Sequence, residues 1–142
     1  MTSLNPVTEN NAQKMGTFTA TIEREPDFLS KDVLLHKFAG ENPGGMIIAN
    51  ISSNYHLAIG FPQGVVENKE VTLVYPFPTP TPTQSNLQWS YSNGTTNLFA
   101  KTGTIKITLT SNSGVSRATG VFDFITTEQP PRKVSGTFDA SR

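Results

Sequence analysis

Gly120-Val121-Phe122-Asp123-Phe124 and Gly136-Thr137-Phe138-Asp139-Ala140 repeat one pattern, G-x-F-x-(A/F), and a third copy, Gly16-Thr17-Phe18-Thr19-Ala20, stands near the start of the chain. In each copy the glycine, the phenylalanine and the next apolar residue are two apart. That is the side-chain period of a β-strand, so the three share one face. A hairpin of the last two copies with both apolar faces together pairs Phe122 with Gly136, Phe138 with Gly120, Ala118 with Ala140 and Phe124 with Val134. Each ring then covers a glycine on the neighbouring strand, and the connection Thr127 to Pro131 has a length that hairpins use. The same face pattern over residues 16–22 predicts that this first strand pairs with the last two and closes the sheet, which removes exposed edges.

The rest of the chain reads in the same register of short strands and turns. Residues 30–39 fit either a short helix capped by Ser30 or a strand in which Leu34, His36 and Phe38 alternate, and the β context favours the strand. Met46 to Ile51 is a continuous apolar run, expected as a central strand covered on both faces. Ser52-Ser53-Asn54 turns it into Tyr55 to Phe61, and Val71, Leu73 and Tyr75 form the next strand face. Prolines at every second position in 76–82 cannot donate to a ladder, so 76–85 reads as an extended Pro/Thr-rich crossover. Leu87, Trp89 and Tyr91 lead into Asn93-Gly94, expected as a type I′ hairpin turn with positive φ at both residues. Ile105, Ile107 and Leu109 alternate with polar residues, and Asn112-Ser113-Gly114 turns the chain again. Residues 1–14 lack pattern and read as a flexible tail before one β-domain, 15–142. The expected fold is all-β, an antiparallel sandwich or closed barrel of about nine or ten strands with little or no helix.

Composition removes several function classes. Lys+Arg and Asp+Glu are 11 each, so the chain has no net charge to draw it to nucleic acid or an anionic membrane. Cysteine is absent, which excludes disulfides, thiolate metal sites and cysteine nucleophiles. No apolar run approaches the roughly 20 residues of a membrane helix. Met1-Thr2-Ser3-Leu4-Asn5-Pro6 has no signal-peptide pattern, which predicts a cytoplasmic protein as the sequence stands, with export after removal of a leader as the other route.

Catalytic signatures are equally sparse. His36 and His56 have no metal-ligand spacing, and Asp32 would meet His36 only on a helix. Asp123 and Asp139 occupy equivalent repeat positions on the face away from the phenylalanines. The hairpin register sets them opposite Ser135 and Thr119, not opposite each other, so they read as solvated strand aspartates and not as a glycosidase pair. Glu23, Glu25 and Asp27 near a turn read as solvated too. No nucleophile elbow or phosphate loop is present. Asn50-Ile51-Ser52 and Asn93-Gly94-Thr95 match the glycosylation sequon but follow no secretory signal. The best binding candidate is the aromatic group Trp89, Tyr91, Tyr75 and Phe77, since aromatic platforms stack on sugar rings or apolar protein surfaces; ordinary core packing is the competing reading.

Arg117-Ala118-Thr119-Gly120-Val121-Phe122-Asp123-Phe124 and Val134-Ser135-Gly136-Thr137-Phe138-Asp139-Ala140 resemble the C-terminal strands of a group of small bacterial all-β proteins of unknown function, many of them predicted lipoproteins. The Gly16-Thr17-Phe18-Thr19-Ala20 start and Ile59-Gly60-Phe61-Pro62 are similar in character. The resemblance implies a bacterial origin and a β-barrel or sandwich, and brings no catalytic residues. This sequence departs from the lipoprotein members in lacking both signal and lipobox cysteine. The expected function is a non-catalytic, cofactor-free β-domain that binds a protein or another ligand. The alternatives are a carbohydrate-binding module using Trp89 and Tyr91, and a lipocalin-like carrier of an apolar ligand.

Overall fold

The computed structural model describes residues 16–37, 44–62, 65, 67–77 and 88–142. The expected tail at 1–14 and most of the Pro/Thr-rich crossover lie outside these residues, as do Phe38 and Leu87. Among the described residues ten strands form one antiparallel sheet. They are β1 (Gly16–Ile22), β2 (Phe28–Ser30), β3 (Asp32–Lys37), β4 (Gly45–Ser52), β5 (Tyr55–Phe61), β6 (Glu70–Tyr75), β7 (Ser90–Ser92), β8 (Asn97–Asn112), β9 (Val115–Thr126) and β10 (Lys133–Ser141). The order is β2-β1-β10-β9-β8-β7-β5-β4-β3, with β6 on the later part of β8. The sheet curls into a nearly closed barrel, and no helix occurs among the described residues. Its two ends meet at β2 and β3–β4. There the buried Ser30 hydroxyl donates to the Asn50 carbonyl at 2.6 Å and accepts from the Asp32 amide at 3.1 Å.

The expected hairpin register is the observed one. Phe122 stands opposite Gly136, Phe138 opposite Gly120, Ala118 opposite Ala140 and Phe124 opposite Val134. The Thr126 amide donates to the Arg132 carbonyl at 2.9 Å and closes the loop over Thr127 to Pro131. β1 pairs with β10 along its whole length, from Gly16–Ala140 to Ile22–Val134, and this pairing supplies the predicted closure. The two glycines work differently. At Gly120 a Cβ would run into the Lys106 carbonyl on β8 and lie 2.9 Å from Phe138 Cζ, so a ring does cover this glycine. At Gly136 the crowding comes from the β1 backbone at Thr19 and Ala20. Gly45 under the Phe61 ring, and Gly103 under the Trp89 ring, extend the ring-over-glycine contact beyond the repeats.

Three local expectations need correction. The strand buried on both faces is β5, where Leu57 to Phe61 are all buried, and not β4, whose Ile47 and Ala49 point inward while Met46 and Ile48 are half-buried and Ile51 is exposed. Small Ala58 and Gly60 on the second face of β5 made the true central strand look half-polar. Of residues 30–39, Ser30 ends β2 and Asp32–Lys37 forms β3, as the strand reading expects, but Val33 and Leu35 face the core, so His36 points outward. The Asn93-Gly94 turn is not type I′. Ser92 pairs with Asn97, leaving a loop over 93–96 in which only Gly94 has positive φ. The Asn93 Oδ1 accepts from the Thr95 and Thr96 amides at 3.0 and 2.7 Å and shapes the loop as an Asx turn. The two-residue turn with positive φ at both positions is Ser113-Gly114, at 55° and 80°, between Asn112 and Val115.

The core is a chain of rings. Tyr91 meets Phe28, Phe28 meets Phe18, Phe18 meets Phe122, and Phe122 meets Phe124. Phe124 then meets Trp89, which stacks on Tyr75 at 4.8 Å between centroids. Each ring fully removed from water contributes about 1.5–3 kcal/mol.

The close approach at Gly120 gives a first test. Gly120→Ala should destabilise the protein by about 1–3 kcal/mol through overpacking, seen as a lower urea midpoint at unchanged slope. A loss within error of zero would show that the β8–β9–β10 contact is not a packing constraint.

Candidate functional site

The four aromatic candidates are all inside. Trp89 and Tyr91 are 0% exposed, Phe77 3% and Tyr75 8%. They also separate into two groups. Tyr75, Phe77 and Trp89 form one cluster, with Phe77 centred 5.6 Å from Tyr75 and 6.1 Å from Trp89. Tyr91 belongs instead with Tyr55 and Phe28. The Trp89 indole N–H donates to the Gly60 carbonyl at 2.8 Å, on the stretch of β5 beyond its pairing with β7. Trp89 thus serves the sheet with its polar atom and the core with its ring, and no exposed face remains for stacking. The Tyr91 hydroxyl is buried without a hydrogen-bond partner among the described residues. Burial, reinforced by Tyr55 and Glu25, pushes its pKa far above the usual phenol value.

Glu25, expected to be solvated, is also tied down. Its side chain is 14% exposed, and it receives Arg132 at 2.9 Å and the Asn93 Nδ2 at 3.0 Å. Arg132 also pairs with Glu128. This network holds the β1–β2 turn, the β7–β8 loop and the β9–β10 loop together at one end of the barrel. It also occupies the amide nitrogen of the Asn93 sequon. The histidines are apart from one another, His36 opposite Met46 and His56 opposite Asn50, with β4 between their strands. Asp32 lies on the same strand as His36, roughly 13 Å along it.

A concave feature that could take a ligand lies on the outer face, over β2, β1, β10 and β9. It is an open groove of about 590 Å³. The register builds it in rows. Leu29, Thr19, Thr137 and Val121 follow one another across the four strands, and Thr21, Ser135 and Asp123 make the next row. Asp27 and Lys133 line the same end as that second row. Thr19 and Thr137 hydroxyls bond each other at 2.9 Å across the floor. Leu29 is 65% exposed and Val121 46%. Asp123 and Asp139, equivalent in the repeat, have different surroundings. Asp123 faces the groove, whereas Asp139 takes a bidentate bond from Arg117 at 2.9 and 2.6 Å, which holds its carboxyl below the usual range.

By sequence Asp27 and Asp123 read as solvated aspartates and the repeat residues as packing elements, and none of the groove residues is a binding candidate there. The one sequence signal was phase. In Gly120 to Ile125 the residues out of step with the inward phenylalanines are Val121, Asp123 and Ile125, so two aliphatic side chains stand where a wet strand face calls for polar ones. No family model, curated protein or solved structure matches this chain.

Two measurements check these assignments. Trp89→Phe keeps a ring but strips the Gly60 carbonyl of its donor, and should cost about 1–3 kcal/mol, while Tyr91→Phe removes a hydroxyl that makes no well-formed hydrogen bond among the described residues and should change stability by less than about 1 kcal/mol. The reverse order in urea unfolding would overturn both roles. The Asp139 charge contributes to stability above the unfolded carboxyl pKa, and that contribution fades as pH falls through the lower folded value. Because the pair is exposed, its effect on overall stability is small. The clean readout is the Asp139 NMR titration midpoint, which should rise in Arg117→Gln.

Proposed function

We propose that this protein is a non-catalytic binding domain that recognises a partner protein through the outer groove. One observation carries the reading. Two exposed aliphatic side chains flank a hydroxyl-rich floor that ends in charges of both signs with no ion pair among the described residues, carried by strands fixed by the ring core and, for Asp27, by the residue just before β2. An apolar centre with a polar rim is the composition of a protein interface. Rigid strands hold such a surface in place before binding, which lowers the ordering cost of association. Neither histidine lines the groove, whose lining comes from β2, β1, β10, β9 and the residue before β2.

The carbohydrate reading moves with the site. Hydroxyls and carboxylates in the groove suit sugar hydroxyls, but no aromatic ring is exposed there to stack on a sugar, and Trp89 and Tyr91 are unavailable for it. A carried apolar ligand fits less well. It would have to displace members of the ring chain that fills the barrel, at about 1.5–3 kcal/mol each.

The test uses a peptide-display library selected on the wild-type protein and on Thr137→Arg, an exposed substitution that fills the groove. Peptides enriched on the wild type should bind the variant at least about tenfold more weakly, with Trp89 emission unchanged by binding. Equal affinity for both proteins would place the binding face elsewhere. A glycan array probed with the same pair checks the carbohydrate reading, which predicts hits that Thr137→Arg abolishes.

A further inference from the structure

The charges in the groove narrow the partner, on the reading that the groove is a binding face. Asp27, Asp123 and Lys133 line it, and none of the three makes an ion pair among the described residues. Their charged neighbours just outside are paired: Arg24 with Glu23, Arg132 with Glu25, and Arg117 with Asp139. The lysine and the aspartate sit diagonally on adjacent strands, since Lys133 stands opposite Ile125 and Ser135 opposite Asp123. Both signs are therefore presented side by side and unspent.

A ligand of one sign would satisfy one half of this set and be repelled by the other. A partner carrying the same set turned about satisfies both. A two-fold-related copy of the chain is such a partner, because in an isologous contact residue i meets j while j meets i. Lys133 of each copy then faces the carboxylates of the other. The apolar features match in the same way. Leu29 projects from the short strand β2 at the groove's rim, and the floor it would enter carries Thr19 and Thr137 beside the exposed Val121. The chain's net charge of zero adds no long-range repulsion between copies.

We propose that a second copy of this chain docks in the groove, forming a two-fold homodimer held by reciprocal Lys133–Asp27/Asp123 contacts around Leu29.

Sedimentation velocity on the full chain from micromolar to millimolar concentration tests this. The wild type should shift from 15.4 kDa toward twice that mass as concentration rises. Lys133→Asp makes the groove wholly acidic, and Asp27→Lys with Asp123→Lys makes it wholly basic. Each variant alone should remain monomeric, and an equimolar mixture should form a one-to-one dimer. Far-UV circular dichroism and thermal melts report whether each is folded. Should a charge variant fail to fold, Leu29→Asp, at a position already 65% exposed, supplies the same test and should be monomeric. A wild type that stays monomeric throughout, or a dimer that persists in Leu29→Asp and in both charge variants, overturns the proposal. If the chain is monomeric while displayed peptides still bind in a Thr137-dependent way, self-association falls and the groove remains a binding face.

Discussion

The close approach of aromatic rings to glycine backbone across neighbouring strands is the constraint on which the rest of the barrel depends. At Gly120 the absent side chain leaves room for Phe138 on one side and for the β8 backbone at Lys106 on the other. At Gly136 it lets β1 come in against β10. These approaches allow β8, β9, β10 and β1 to coil tightly enough for the first and last strands to pair. With that pairing made, Phe18, Phe122 and Phe138 converge, and the ring chain can run on to Trp89 in one direction and Tyr91 in the other.

This arrangement explains why the aromatic residues do not form a surface platform. Burying one ring requires others to enclose it, and a barrel of this size has a single interior to fill. Trp89 is fully buried, and two separate needs meet at its position. Its ring lies over Gly103 and on Tyr75, and its N–H supplies a donor to Gly60 where β7 no longer pairs with β5. Either need alone could be met by another residue; the combination of a large ring and one N–H donor suits tryptophan.

The register of the last hairpin was legible because a period of two, applied to repeated Gly and Phe, leaves few ways to keep both apolar faces on one side. The closure by β1 followed from the same face pattern. The less legible features depend on partners distant in sequence. Asn93-Gly94 has the composition of a two-residue turn, but the Asn93 side chain is drawn to Glu25 on one side and to the Thr95 and Thr96 amides on the other, so the loop widens. Ser113-Gly114 takes the tight turn because the long ladder between β8 and β9 fixes Asn112 opposite Val115. Glu25 looked solvated because Arg132, more than a hundred residues away, is invisible to any local pattern. The groove was hidden for the same reason, since its rows exist only after β2, β1, β10 and β9 are set side by side.

The two faces of these strands are under different demands. Inward positions answer to packing, and the ring chain leaves them little freedom. Outward positions answer only to solvation, which threonine and serine meet on most of this surface. Departures from that default are therefore the informative ones. Val121 and Leu29 stay largely exposed, and among the described residues Asp27, Asp123 and Lys133 carry charge without the ion pairs that Glu25 and Asp139 find nearby. Scattered singly over the molecule such residues would be unremarkable. Here five of them surround one depression, and folding of the single chain gains nothing from placing them together. A contact made by that depression gives them a common physical reason, because association would bury the aliphatic side chains and pair the charges in one step.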